Sequence, residues 1–226
     1  MVKINGINHL PISTANTKGQ IEFFTDVLGA ELVALFPMHL AEGARHTFLK
    51  LSETCCLSFV EYPENADIEQ QMGVTYPSGA GPSAPGTLNH LAFNVDSIDD
   101  LLAMRDRIRS KGIHVFGPLD HGVMRSIYFQ GPEHLSLEIA AYQGVINPEA
   151  WIDPETVNTA GISTEELVQF KAPDAYEGQG GAVAQPAVDP IKHHALFEDK
   201  ALKSVIEMSD EEAFATMSTP NSPVSI

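Results

Sequence analysis

Apolar and polar residues alternate in short runs along the first two thirds of the chain, and two longer runs show helical spacing. Alternation predicts strands over 4–12, 30–37, 46–51, 55–62, 87–95, 126–130 and 135–139, and one that begins at 113–116. Apolar residues three and four apart predict helices over 17–28 and 97–111, which end at Gly29 and Gly112. The order strand, helix and three strands therefore occurs twice.

A short motif marks the same point in both units. Asn8-His9-Leu10 and Asn89-His90-Leu91 each lie in the first strand of a unit, 81 residues apart. A glycine ends the following helix 20 residues after His9 and 22 residues after His90. We interpret this as an internal duplication with a period of about 80 residues.

The repeat divides the chain into four parts. We predict a first βαβββ module at 4–63 and a second at 87–142. Residues 64–86 are rich in Pro, Gly and Ser and predict a linker or a mobile flap. Residues 143–226 lie outside the repeat and form a C-terminal extension with short helical stretches at 163–170, at 190–208 and after 209. We expect this extension to wrap the core or a second subunit.

One strand carries a carboxylate where apolar residues dominate. In 135–139 the leucines and Ile139 share one face, and Glu138 lies on the other. A lone charge in such a strand is costly unless it is paired or bound to metal. The alternative is a glutamate on the solvated face of an edge strand.

Composition limits the partners. The chain has 226 residues, a formal net charge of −17 and 43% hydrophobic residues. So acidic a protein is a poor partner for nucleic acid or anionic membranes, since both select basic surfaces. The adjacent Cys55 and Cys56 point to opposite faces of a strand and predict no disulfide. No signal-peptide pattern or long apolar run is present, so we expect a soluble cytoplasmic protein.

With a histidine opening each unit and a strand glutamate closing the second, residues 4–142 resemble the vicinal oxygen chelate superfamily. This superfamily includes glyoxalase I, methylmalonyl-CoA epimerase, fosfomycin-resistance proteins and type I extradiol dioxygenases. The resemblance implies an α+β fold in which two paired βαβββ modules form a curled mixed sheet around a metal cleft. It implies that His9, His90 and Glu138 converge on a divalent metal, and that the protein forms a homodimer.

These three side chains have suitable chemistry for a metal. Two neutral imidazoles and one carboxylate leave open positions on a metal such as Fe(II), and Mn, Zn or Ni are alternatives. Either histidine alone could instead be an ordinary packed side chain. Their equivalent places in the repeat, together with Glu138, favour the metal site.

A fourth ligand would separate two branches of the superfamily. Glyoxalase I and the epimerase take a further Glu or Gln from the last strand of the first unit. Glu138 lies four residues after His134, and the same count from Thr54 reaches Ser58. Glu61 would require a shifted register, which the facing of a strand disfavours. The missing fourth ligand favours the extradiol branch.

The stretch before Glu138 also resembles the extradiol signature, with His121, Ile127-Tyr128 and Pro132 in order. The resemblance gives Tyr128 a hydrogen bond to a substrate oxygen and His121 a supporting role. Gly131, His134 and Leu119 depart from the signature. The alternative for His121 and Tyr128 is a strand shared by the superfamily for structural reasons.

Extradiol enzymes also use a histidine as general acid and base on the side of the first unit. Only His39 and His46 are available, both earlier in the chain than expected. We expect His46 to be a surface residue rather than this catalyst. His193 and His194 diverge by about 100° on a helix and do not predict a metal site.

The sequence therefore favours a metal-dependent enzyme, most specifically a ring-cleaving dioxygenase of the extradiol type acting on a catechol-like substrate. The first alternative is an isomerase or lyase of the glyoxalase or epimerase type, in which the metal stabilises an enediolate. The second is a metal-free protein that binds small molecules. Fold resemblance does not choose among them. The sequence leaves open which substrate with vicinal oxygens and which metal are bound.

Overall fold

Two four-stranded mixed sheets form the body of the protein in a computed structural model, which describes residues 3–178, 180–187, 205 and 207–225. The first sheet contains β1 (His9–Ser13), β2 (Glu31–Pro37), β3 (Arg45–Ser52) and β4 (Cys55–Glu61), in the order β1-β4-β3-β2. The second contains β5 (Leu91–Asn94), β6 (Phe116–Asp120), β7 (Met124–Gln130) and β8 (Ser136–Tyr142), in the order β5-β8-β7-β6.

The two sheets have the same topology, which confirms the duplicated α+β fold. In each, the first strand is parallel to the fourth, and the other pairs are antiparallel. The strands β1 and β5 lie at the edges, and the two sheets are not joined into a closed barrel. The residue boundaries of the modules stay a prediction.

The helix of the first module begins where its sequence offers a cap. The Asn16 side chain accepts a hydrogen bond from the Gly19 amide at the start of α1 (Thr17–Phe23). The predicted helix continues as a π-helical turn over Phe24–Leu28. It ends at Gly29, whose φ of +78° favours glycine.

The second helix, α2 (Ile98–Ser110), follows its sequence pattern closely. Ser97 caps it by accepting from the Asp100 amide, and acidic residues in the first turn match the helix dipole. Leu101 and Ile108 are fully buried on its inner face. The capping pattern and the apolar stripe thus fix both the start and the orientation of this helix.

The two modules share one hydrophobic core. Phe24 and Phe59 of the first module and Leu101 and Ile127 of the second belong to the same buried cluster. The rings of Phe24 and Phe93 lie 6.2 Å apart across the modules. This core covers one face of each sheet, so the candidate site must lie on the other face.

A glutamate in the β7–β8 turn fastens the modules to each other. Glu133 accepts hydrogen bonds from the Thr14 hydroxyl at 2.6 Å, the Ala15 amide at 2.8 Å and the Gln20 side chain at 2.6 Å. All three donors belong to the β1–α1 region of the first module. The turn that presents Glu138 is thereby held against the strand that presents His9.

The extension is partly helical, as predicted. Its described helices are α3 (Pro148–Trp151), α4 (Pro154–Thr159), α5 (Thr164–Lys171) and α6 (Asp210–Met217). Most of the stretch predicted as helical at 190–208, including His193-His194, lies outside the described residues. None of the helices in the described part of the chain is long and apolar enough to cross a membrane.

Candidate metal-binding site

His90 and Glu138 meet on the face of the second sheet that is turned away from the core. His90 directly precedes β5, and Glu138 lies in the parallel neighbour β8. His90 Nε2 is 2.9 Å from Glu138 Oε2. Glu138 is only 5% exposed, whereas the His90 ring is partly open to solvent. The pair thus combines a buried carboxylate with an accessible imidazole.

An asparagine orients each of the two repeated histidines. Asn89 Oδ1 lies 2.8 Å from His90 Nδ1, and Asn8 Oδ1 lies 2.8 Å from His9 Nδ1. An amide oxygen can only accept, so each Nδ1 donates to its asparagine and Nε2 is the ring nitrogen left to bind a metal. This is the tautomer that Nε2 needs to bind a metal. The repeated Asn-His-Leu motif is the sequence signal of this role.

The pair fits a divalent metal in its chemistry. Among the described residues, no lysine or arginine lies within ion-pair distance of Glu138. A buried carboxylate is costly unless it is paired, and a bound cation would neutralise its charge. One carboxylate oxygen and one imidazole nitrogen are ligands that suit first-row transition metals.

Tyr128 stands beside this pair. It is the register partner of Glu138 on β7, and its hydroxyl lies 3.3 Å from Glu138 Oε1. Burial, together with the negative charge of Glu138, raises the pKa of Tyr128 above its ordinary value of 10.0 despite an opposing hydrogen bond with Ser126. The phenol therefore keeps its proton at neutral pH and can donate a hydrogen bond.

His121 reaches the same hydroxyl from the β6–β7 turn, with its Nε2 atom 2.8 Å from the Tyr128 oxygen. Asp120 fixes this turn by accepting from the Gly122 amide at 2.8 Å and from Arg125 at 3.1 Å. The His121 amide donates to the Met124 carbonyl at 2.9 Å. If the phenol donates to Glu138, His121 must donate its Nε2 proton to the phenol oxygen.

His9 lies in a different group, on the outward face of the first sheet. Its ring centre is 5.3 Å from that of Phe48 and 6.2 Å from that of His46. His46 in turn lies 4.4 Å from Phe48 and 5.7 Å from Phe36. The first sheet thus presents two histidines within an aromatic cluster.

The prediction that His46 is a surface residue is wrong. His46 lies inside β3 and is partly buried, and its Nε2 atom is buried without a hydrogen-bond partner among the described residues. Burial, and then the neighbouring His9, lower the pKa of His46 below its ordinary value of 6.5. The ring is therefore neutral at pH 7. His39, by contrast, lies in an exposed turn after β2.

The chain by itself does not bring His9, His90 and Glu138 into one group. Within the described residues, no three His, Cys, Asp or Glu side chains are arranged to hold a metal ion. His90 and Glu138 form a pair on the second sheet, and His9 sits with His46 on the first.

Glu61, the alternative fourth ligand, is engaged elsewhere. Its Oε2 atom accepts a hydrogen bond from the Thr17 amide at 2.9 Å, at the start of α1, and its other oxygen lies 3.8 Å from Arg45. Burial acts to raise the pKa of Glu61, but the hydrogen bonds from Thr17 and the charge of Arg45 outweigh it and leave the pKa lowered. The ionised carboxylate thus stabilises the helix start.

The chain thus has two βαβββ modules and a histidine–carboxylate pair on the outer face of the second sheet. Residues 6–139 match the model of the Glyoxalase/Bleomycin resistance protein/Dioxygenase superfamily. Because this match covers more than half of the chain, the protein belongs to that superfamily. Members of the superfamily act on or bind small molecules, and dioxygenases are among them.

Two relatives from Rhodococcus globerulus are named as ring-diol dioxygenases. Biphenyl-2,3-diol 1,2-dioxygenase 2 is 32% identical over 85 residues, which cover 37% of this chain and 44% of that enzyme. Biphenyl-2,3-diol 1,2-dioxygenase 3 is 26% identical over 136 residues, which cover 58% of this chain and 60% of that enzyme. The matches thus span less than two thirds of either enzyme.

A solved structure also resembles this protein. The glyoxylase/bleomycin resistance protein/dioxygenase domain from Frankia sp. EAN1pec is 13% identical, with a TM-score of 0.49. The match covers 62% of this chain and all of that domain.

Proposed function

We propose that the protein is a metal-dependent dioxygenase of the extradiol type that cleaves the ring of a catechol-like substrate. One observation carries the proposal. The phenol of Tyr128 lies between His121 and Glu138, with His90 on the other oxygen of the same carboxylate. The named activity of the two R. globerulus relatives supports it.

In this proposal His90 and Glu138 are two of three protein ligands, and His9 is the third. Fe(II) is the expected metal, with Mn as the alternative. These residues would hold a metal that, when bound, would be chelated by two neighbouring oxygens of the substrate and would supply the redox chemistry with dioxygen. The Asn8 and Asn89 side chains hold the histidines in the tautomer that leaves Nε2 free.

Tyr128 acts on the substrate through its proton. Its raised pKa keeps the phenol protonated, so it can donate a hydrogen bond to a substrate oxygen that gains negative charge. His121 orients the hydroxyl by its 2.8 Å contact, and Asp120 fixes the turn that carries His121. The phenol oxygen is therefore held in position before the substrate binds, and its proton has only to turn from Glu138 to the substrate oxygen.

We propose further that His9 comes from the partner subunit of a homodimer. His9 is oriented like His90 by its own asparagine, yet among the described residues of one chain it forms no three-residue metal group with His90 and Glu138. Both histidines open or adjoin edge strands, β1 and β5, and edge strands are the natural place for two copies to meet. A two-fold arrangement would then build two equivalent sites.

The same arrangement gives His46 a role. In the shared site, His46 would lie beside His9, because their ring centres are 6.2 Å apart. A neutral imidazole whose Nε2 atom has no hydrogen-bond partner among the described residues has a lone pair that could accept a proton from the substrate hydroxyl. His46→Ala should lower kcat by roughly 10²-fold or more without loss of bound iron. Unchanged turnover in this variant would exclude His46 as the base.

The test of the main proposal is direct. Protein reconstituted with Fe(II) without oxygen, then given catechols and air, should consume oxygen and form a coloured ring-opened product. Apo protein and protein loaded with Zn(II) are the controls. Tightly bound iron without oxygen uptake across a panel of catechols would overturn the dioxygenase proposal. Zinc or nickel as the metal of the isolated protein would favour the isomerase branch instead.

A further inference from the structure

The loop 64–86, which connects the two modules, is fastened to the β7–β8 turn of the second module. The rings of Tyr76 and His134 are stacked, with their centres 4.2 Å apart and an angle of 4° between their planes. The Gln70 side chain donates a hydrogen bond to the Glu133 carbonyl at 3.2 Å. A cavity of about 460 Å³ is lined by residues of the loop, of β1 and of the β7–β8 turn. The loop thus spans an opening, and its position depends on individual contacts such as these.

A tight turn at 78–81 connects this loop to the candidate site. The Gly81 amide donates to the Ser78 carbonyl at 2.9 Å, which closes the turn. The Gly81 carbonyl in turn accepts a hydrogen bond from Asn89 Nδ2 at 3.2 Å. Asn89 is the residue whose Oδ1 atom lies 2.8 Å from His90 Nδ1. The loop therefore reaches His90 through one intervening side chain.

The Gly81 carbonyl decides which end of the Asn89 amide faces His90. A backbone carbonyl can only accept, so it selects the NH₂ group of Asn89 and leaves the amide oxygen for His90 Nδ1. With the amide reversed, Nδ1 would have to accept from the NH₂ group. The ring proton would then lie on Nε2, where it would block a metal. The loop thus favours the arrangement of His90 that a metal requires.

The first module offers a comparison. Asn8 Oδ1 also lies 2.8 Å from His9 Nδ1, but the Asn8 side chain makes no second hydrogen bond to the described part of the chain. Its amide is held by one contact only. The contact with Gly81 is therefore a constraint on His90 that His9 does not share.

We propose that the loop 64–86 is a positioning element of the metal site, which acts through the Gly81 carbonyl and Asn89 to keep His90 Nε2 available to a metal. The inference rests on the metal site of the proposed function and adds a means of regulating it. A change that moves the loop should change metal affinity. Since coupling between two sites is reciprocal, bound metal should also hold the loop in place.

The first experiment moves the Gly81 carbonyl and measures metal binding. A Cβ atom on Gly81 would lie 2.9 Å from the Ser78 carbonyl oxygen, so the turn must shift in Gly81→Ala. Zn(II) is the probe, because it has no redox chemistry. We expect its affinity to fall by about 10-fold, the lower end of the range for groups that orient a ligand. Ser78→Ala, which changes an exposed side chain of the same turn, is the matched control and should keep the affinity.

A double-mutant cycle separates this contact from a general loosening of the loop. In an Asn89→Ala background the Gly81 carbonyl has lost its partner, so adding Gly81→Ala should lower the Zn(II) affinity no further. An equal loss in both backgrounds would overturn the inference, and so would an unchanged affinity in Gly81→Ala alone.

The second experiment needs no change in the loop. Amide hydrogen exchange of peptides from 70–86 is followed in wild-type protein with and without saturating Zn(II), and exchange in α5 is the internal reference. Bound Zn(II) should slow exchange in the loop, because the metal favours the arrangement that the Gly81 contact requires. Saturating Zn(II) should slow it much less in Asn89→Ala. Loop exchange that does not respond to Zn(II) in the wild type would overturn the inference.

These outcomes are distinct from those that test the proposed function. Oxygen uptake with catechols, together with equal Zn(II) affinities of the wild type and Gly81→Ala, would overturn the role of the loop and leave the dioxygenase standing. The expected cycle and exchange results without oxygen uptake would keep the role of the loop and overturn the dioxygenase. Wild-type protein that binds no divalent metal would overturn both.

Discussion

Ser58 of β4 occupies in the first module the position that Glu138 of β8 occupies in the second. Ser58 is the register partner of Phe48 on β3, just as Glu138 is the partner of Tyr128 on β7. The first module therefore has a hydroxyl at the place where a fourth, carboxylate ligand would be needed. This supports three protein ligands rather than four.

Removing one ligand should empty the metal site. His9→Ala, His90→Ala and Glu138→Ala should each lose most of the bound metal, because two remaining ligands leave an incomplete site. Glu61→Ala is the matched control, since Glu61 is engaged with Thr17 and Arg45. Metal content is measured by elemental analysis of untagged protein. If Glu61→Ala loses metal as thoroughly as Glu138→Ala, the four-ligand isomerase interpretation is the better one.

The orienting asparagines should tune metal affinity. Asn89→Ala frees the Nδ1 proton of His90 from its 2.8 Å contact, so we expect metal affinity to fall by about 10- to 100-fold. Asn94→Ala, which changes an exposed asparagine at the end of β5, should leave the affinity unchanged. Competition with a metal-binding dye measures both. Equal metal affinities for the two variants would show that Asn89 does not orient His90 for metal binding.

Tyr128→Phe should keep the metal but slow turnover. Losing one preorganised donor to developing charge costs roughly 10²–10³-fold in kcat. Tyr142→Phe removes a hydroxyl from an exposed tyrosine at the end of β8 and serves as the control. His121→Ala should lower kcat by about 10- to 100-fold through the lost orientation of the phenol. Steady-state oxygen uptake gives both values, and a Tyr128→Phe enzyme with full kcat would refute the donor role.

Mixed dimers test whether the site is shared between two chains. His9→Ala and Glu138→Ala chains with different tags are co-expressed, and the mixed species is purified through both tags. If the sites are shared, the mixed dimer keeps one of its two sites intact. About half of the wild-type metal content and activity should then return. If each site lies within one chain, the mixed dimer should hold no metal. If the chains do not form dimers, no active mixed species should be recovered.

Glu61 should make stability depend on pH. Its pKa is lowered in the folded protein from an ordinary value of 4.5, so unfolding takes up a proton as the pH falls below that value. Its stabilising contribution is present above pH 4.5 and is lost as the pH falls through the lowered folded pKa. Glu61→Gln should therefore reduce the free energy of unfolding more at about pH 6 than at about pH 3.

Denaturant titrations at the two pH values measure this difference, with Glu64→Gln, an exposed neighbour in the turn after β4, as the control. A destabilisation by Glu61→Gln that is the same at both pH values would show that the charge of Glu61 makes no contribution.

The sequence by itself determined the fold and most of the local structure. Period-two and helical spacing located the strands and the two helices, because these patterns follow directly from which face is buried. Capping residues such as Ser97, and Gly29 at a helix end, marked boundaries within a few residues. The repeated histidine motif located the first strands of both modules, and counting from the turns identified Ser58 as the counterpart of Glu138.

Only the tertiary structure decided how these residues meet. The Asn–His contacts, the burial of the His46 nitrogen and the Trp151 contact with Gly122 depend on side-chain orientation and on packing between distant segments. Likewise, the pairing of His90 with Glu138, and the position of His9 beside His46 and Phe48, follow from how two sheets pack around one core. Local sequence patterns encode the period of each element, but they do not encode the relative position of elements.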